Sequence, residues 1–149
     1  RQVQVFNDRE VWHMMDVKGL FVWTFRVSEA SGALLVGLIV VGLLAFRRRA
    51  LSPLAWLLAA GGALTVAFVL VIGVVALISF GPLFTTFHVM SFSNDLWQLE
   101  PGSSYLVRMF PQGFWKDMTL LIGLASVLEA LVLFGAMVLA LTRLPSPKG

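Results

Sequence analysis

The sequence holds two histidines, His13 and His88, and these are the side chains best suited to moving a proton near neutral pH. Cysteine is absent, which excludes disulfides, thiolate catalysis and Cys-ligated metals. PGSSY at 101–105 is not a G-x-S-x-G elbow; Ser103 and Ser104 read as turn residues after Pro101–Gly102. With no H-E-x-x-H, a zinc protease is unsupported and no metal site is assigned. Two histidines without a protein nucleophile suit general acid–base chemistry in which the substrate supplies its own nucleophile. That points to transfer between two groups held together, where positioning provides much of the rate. The pairing requires ring separation below roughly 10 Å, since each ring reaches about 3 Å towards a group between them.

Other residues can support such chemistry. Asp16 lies three residues after His13, on the same face of a helix, where a carboxylate can fix the imidazole tautomer. A merely solvated carboxylate is the plainer reading. Arg108, within YLVRMFP, can bind a phosphate, a carboxylate or a backbone carbonyl, or snorkel to headgroups. Phe84, Phe87, Phe92, Trp97, Phe110, Phe114 and Trp115 can line an acyl-binding crevice; an interfacial belt explains several of them equally well. Trp12, Phe21, Trp23 and Phe25 suit the same belt. Glu129, near the middle of an apolar run, reads as a structural carboxyl bonded to a neighbouring helix.

The elements that must position these residues follow from composition. At 149 residues, 58% hydrophobic, 13% charged and mean hydropathy +0.88, the chain is an all-α integral membrane protein. Its net charge of +3 does not indicate nucleic acid, because Arg47, Arg48 and Arg49 form one block beside an apolar run. Residues 1–27 form an outer segment, with a short strand over 2–6 and then a helix capped by Asn7 or Asp8 with Glu10 in its first turn. Transmembrane helices are predicted over 28–46, 54–80 and 118–141; the first, about 19 residues, matches a ~30 Å hydrocarbon core. Between the first two lies a basic loop, 47–53, with Pro53 opening the next helix. Gly61 and Gly62 suggest close helix packing, and Gly81–Pro82 ends the second helix. Residues 81–117 form an aromatic cap and 142–149 a short tail.

Charge sets the expected topology. The Arg47–Arg49 loop and the tail with Arg143 and Lys148 belong on the cytoplasmic side. Residues 1–30 hold four basic and four acidic side chains, and 81–117 hold two and three, so neither has a basic excess. Both segments then lie outside, where His13 and His88 can meet. The chain begins at Arg1 without an initiator Met or a signal-type h-region, so a preceding segment with one more helix is expected.

WHMMDVKGLF at 12–21 resembles an H-M-x-D-V motif, FTTFHVMSFSNDLW at 84–97 resembles F-x-x-F-H-x-x-x-F, and MFPQGFW at 109–115 resembles an F-P-x-x-F-W-like segment. Together they resemble the bacterial lipoprotein intramolecular transacylases, over nearly the whole chain. The resemblance implies a four-helix protein of the bacterial cytoplasmic membrane with an extracytoplasmic cap; the three helices here fit loss of the first. It implies transfer of the sn-2 acyl chain of a lipoprotein's diacylglyceryl group to the α-amino group of its N-terminal cysteine, giving a lyso-form lipoprotein. Its catalytic histidines match His13 and His88, one as base and the other as acid, in an order left open. Asp16, Asn94 and Arg108 are the supporting candidates, and Trp12, Phe84, Phe87, Phe92, Trp97, Phe110 and Trp115 the lipid-pocket candidates. Diacylated lipoproteins and membrane lipids are the implied partners, with no cofactor. The alternatives are a non-catalytic membrane subunit whose cap binds a partner protein and, third, bis-histidine haem ligation.

Overall fold

The computed structural model describes residues 5–143, and every regular element among them is helical. Helix α1 runs Asp8–Phe46 and α2 runs Leu51–Ser91, joined by a 3-10 turn at Arg47–Ala50; a short α3, Tyr105–Met109, precedes α4, Gln112–Arg143. The strand expected over 2–6 falls largely outside the described residues, as do Lys148 and most of the tail.

Asn7 starts α1 through a reciprocal capping box. Its Oδ1 accepts the Glu10 N–H at 2.9 Å, and its own N–H donates to Glu10 Oε2 at 2.8 Å. The helix then continues without a break through the polar–aromatic segment and the first apolar run. Its 39 residues make it about 58 Å long, well beyond a bilayer core. It ends where Arg47 takes a positive φ of 51°, a left-handed conformation unfavourable for a side chain with a Cβ. Within the first turn of α2, Pro53 sits where the backbone N–H has no intrahelical partner.

Helix α2 corrects one expectation. The chain leaves helical geometry at Ser79 (φ −149°, ψ 58°), beside the expected end at Gly81–Pro82, but a second helical segment follows and runs on to Ser91. Pro82 lacks an N–H and its ring clashes with the carbonyl four residues back, so the helix bends there and resumes. The segment expected to be an aromatic cap thus opens with a helix that presents Phe84, Phe87 and His88 at helical spacing.

Contacts divide the chain into two compact units. The first comprises the described residues up to Ser31 with Val75–Thr119, and the second Gly32–Val74 with the described residues from Leu120 onward. In the second unit the Arg47 turn reverses the chain: a Cβ on Gly42 would lie 3.4 Å from Leu54. There, Gly123 is the glycine under closest approach: a Cβ on it would lie 3.3 Å from Val69. Gly61 and Gly62 face open space, contrary to the packing expected of them.

Burial is inverted relative to a water-soluble domain. Among the described residues the buried hydrophobics are Ala50, Ala55 and Ala76, whereas Glu10, His13, His88 and Ser104 are buried polar groups. Leu, Val, Ile and Phe side chains of the long helices point outward. Two helical stretches, Asp8–Ser91 and Gln112–Leu139, are long and apolar enough to cross a membrane, and their most apolar windows are almost wholly exposed. Such a surface would be unstable in water and is suited to lipid.

Candidate functional site

The first unit brings the beginning of α1 against the end of α2. His13 and His88, each 7% exposed, face each other with ring centroids 5.9 Å apart and planes tilted by 34°. This is inside the separation that a shared substrate group requires. Phe92 lies against both rings, 5.3 Å from His13 and 5.6 Å from His88. Phe84 at 4.2 Å, Phe87 at 5.4 Å and Trp97 at 5.1 Å complete an aromatic enclosure of His88.

The ring nitrogens are not equivalent. His88 Nδ1 is 2.7 Å from the Phe84 carbonyl oxygen, one turn back on α2. A carbonyl only accepts, so Nδ1 carries the hydrogen and the neutral ring keeps its lone pair on Nε2. His13 Nδ1 is buried with no hydrogen-bond partner among the described residues. Buried polar atoms are almost always satisfied, and an orphan beside a second titratable ring marks a place where a ligand atom can bond. Both rings lie outside the apolar runs. Burial lowers the His13 pKa below 6.5, the nearby His88 lowers it further, and Asp16 opposes only in part. Burial likewise lowers that of His88, against the opposing hydrogen bond to Phe84. Both imidazoles are therefore predominantly neutral at pH 7.

One turn before His13 on α1 lies a carboxylate expected only as a first-turn acid. Glu10 is fully buried. Its Oε2 closes the capping box with Asn7, while Oε1 accepts Ser104 Oγ–H at 2.5 Å and the Leu106 N–H at 2.9 Å. Burial opposes its charge, but the bonds from Ser104, Leu106, Asn7 and Tyr105 outweigh it and place its pKa below 4.5. One carboxylate thus bonds the N-termini of α1 and α3, where helix dipoles favour negative charge. Ser104 is the N-cap of α3, its hydroxyl accepting the Val107 N–H at 3.2 Å, rather than a bare turn residue. Asn7-x-x-Glu10 was the legible half of this arrangement; Ser104, far away in sequence, was not. Arg9 adds a bond to the Asp95 carbonyl, and Asp16 Oδ2 accepts from Asn94 Nδ2 at 2.9 Å. One end of α1 therefore holds the segment between α2 and α3 at three points.

The remaining candidates are placed as follows. Asp16 makes no hydrogen bond to His13 among the described residues, and its partner is Asn94. Arg108 is exposed, stacked 4.2 Å over the Tyr105 ring with Nε 3.3 Å from the Ser104 carbonyl, so its contacts are within α3 and its cap. Phe110 and Trp115 pack with Phe114 in a separate aromatic cluster. Trp12 is 58% exposed, on the outer side of α1. Glu129 lies exposed on α4. No group of three or more His, Asp or Glu side chains able to hold a metal ion occurs among the described residues.

Comparison with known proteins gives a consistent result. A family model described as "Lipoprotein intramolecular transacylase Lit" matches residues 2–115, a range that contains both histidines, the Glu10–Ser104 pair and the aromatic enclosure. An uncharacterised protein of Aquifex aeolicus (strain VF5) is 30% identical over 137 residues, covering 91% of this chain and 56% of that one. The chain thus spans about half the length of the curated relative it matches. No solved structure matches.

Proposed function

This chain belongs to the lipoprotein intramolecular transacylase family, and from that premise we propose that it transfers an acyl chain within a diacylated lipoprotein by two-histidine acid–base catalysis. The acyl group leaves the sn-2 oxygen of the diacylglyceryl moiety and joins the α-amino nitrogen of the N-terminal cysteine. The observation that carries this reading is the meeting of His13 and His88 at 5.9 Å, buried together in an aromatic enclosure.

The chemistry assigns each ring a task. His88, with Nδ1–H held by the Phe84 carbonyl, presents a basic Nε2 to the attacking amine. The amine lone pair forms the N–C bond to the ester carbonyl carbon, and the C–O bond to the glyceryl oxygen breaks. A proton leaves the nitrogen for His88, and the glyceryl oxygen gains one from the imidazole pair, with His13 as donor. Amide and alcohol result, and no acyl-enzyme forms. The aromatic rings around the pair exclude water and offer the apolar contact that acyl tails need. In this reading the apolar parts of α1, α2 and α4 make three crossings and the pair lies on the extracytoplasmic side, which the basic Arg47–Arg49 block, as a cytoplasmic signal, supports.

Mass spectrometry tests this directly. A diacyl lipopeptide incubated with the purified protein is expected to keep its mass while its N-terminus becomes blocked. His13→Ala and His88→Ala are each expected to lower the rate about 10²–10⁴-fold, the usual contribution of a positioned acid or base. Full activity in either variant sinks the two-histidine mechanism.

A further inference from the structure

We infer that Asp16 and Asn94 form the seat of the substrate's protonated amine, in a groove beside the histidine pair. This assignment rests on the transacylase reading and adds a recognition site to it.

The groove, of about 320 Å³, is lined by Asp16, Ser93 and Asn94 with Leu20 and Trp23 as apolar wall. Phe92 lines it too and touches both histidine rings, so a single aromatic side chain separates the groove from the pair. Asp16 is one helical turn beyond His13 on α1. Its position would suit a carboxylate that orients the histidine, yet no such bond is made and His13 Nδ1 remains without a partner among the described residues. The Asp16 carboxylate is instead held by Asn94, whose amide oxygen accepts the Leu96 N–H at 3.0 Å and so fixes the amide donor towards Asp16. The ion pair found among the described residues joins Arg26 to Glu29 and leaves Asp16 out. A half-buried carboxylate, fixed in place without a cation among the described residues, in a groove one aromatic side chain away from the acid–base pair, is complementary to an ammonium group. The α-ammonium of the diacylglyceryl cysteine is the cation this reaction must deliver there.

The step balances. Bound ammonium loses one proton through a histidine to water, and the amine then forms the N–C bond to the ester carbonyl carbon. As the glyceryl C–O bond breaks, a second nitrogen proton passes through the histidines to the glyceryl oxygen.

The test measures binding without turnover. A lipopeptide whose two glyceryl chains are ether-linked cannot transfer acyl groups. It is titrated, with a free or an acetylated N-terminus, into the full chain in nanodiscs. The free-amine form is expected to bind about tenfold more tightly at pH 6.5, the factor for one charge-assisted hydrogen bond. That preference is expected to vanish in Asp16→Asn, to persist in Asp16→Glu, and to fade in the wild type above the amine's pKa of about 8. Equal binding of the two forms by the wild type, or an undiminished preference in a folded Asp16→Asn, overturns the assignment. The wild-type comparison requires no variant to fold. Failure of the transacylase reading is seen separately, as absence of N-terminal blocking with the ester-linked lipopeptide.

Discussion

Burial keeps both imidazoles neutral, which sets the pH range of the site. A histidine whose pKa in the folded chain lies below 6.5 binds fewer protons folded than unfolded. Activity is therefore expected to persist at pH 6.5 and to fall only in more acidic solution, as the rings gain protons and the base is lost. Stability follows the same sign: level above pH 6.5, then declining as pH drops, because the unfolded chain takes up protons first. A pH–rate profile beside a pH series of melting temperatures checks both. The other decisive residue is Glu10. Glu10→Ala leaves the Ser104 hydroxyl and the Asn7 and Leu106 N–H groups without their acceptor. Each orphaned donor in a buried setting costs about 1–3 kcal/mol, so a clear fall in melting temperature is expected in scanning fluorimetry. Residue types alone identified the histidines, and topology argued that they meet. Glu10 was legible only as an N-terminal acid, because its second partner lies on α3 and no local pattern announces a contact so distant in sequence.

Among the elements, the bend in α2 controls where His88 sits. Ser79 leaves helical geometry three residues before Pro82, and the helix beyond it carries the Phe84–Phe87–His88 face. Pro82→Ala restores an N–H for the carbonyl of residue 78 and removes the ring clash that favours the kink. The expected outcome is an unchanged or higher melting temperature with the transfer rate reduced about a hundredfold, the cost of a displacement near 1 Å at a reacting group. Rate and stability measured on one preparation separate these effects. The apolar runs were readable because lipid-facing helices are hydrophobic all round. Their true lengths were not. The polar–aromatic residues ahead of 28 look like a surface segment, yet they continue α1, and the break beside Gly81–Pro82 is followed by a second helical segment rather than by irregular chain. Hydropathy marks what lipid covers, while a helix extends wherever its backbone bonds are kept.

At the scale of the whole molecule, the exposed apolar side chains of the long helices follow from a lipid solvent, and the Arg47–Arg49 turn sets the expected direction of insertion. The absence of cysteine makes this testable with single labels. In intact cells, exposed Ser103→Cys is expected to react with a membrane-impermeant maleimide, and exposed Arg48→Cys only after permeabilisation. The reverse pattern refutes the proposed topology. The Glu10–Ser104 bond joins residues separated by 94 positions. At 5–20 residues per second, roughly 5–20 s of synthesis separate the emergence of its two partners. During that interval the α1–α2 hairpin has no α3 to hold, and Glu10 must stay hydrated. The contact that closes the site therefore forms only after Ser104 has emerged. A nascent chain arrested before Ser104 would already possess both histidines and still lack the bond that secures the segment between α2 and α3.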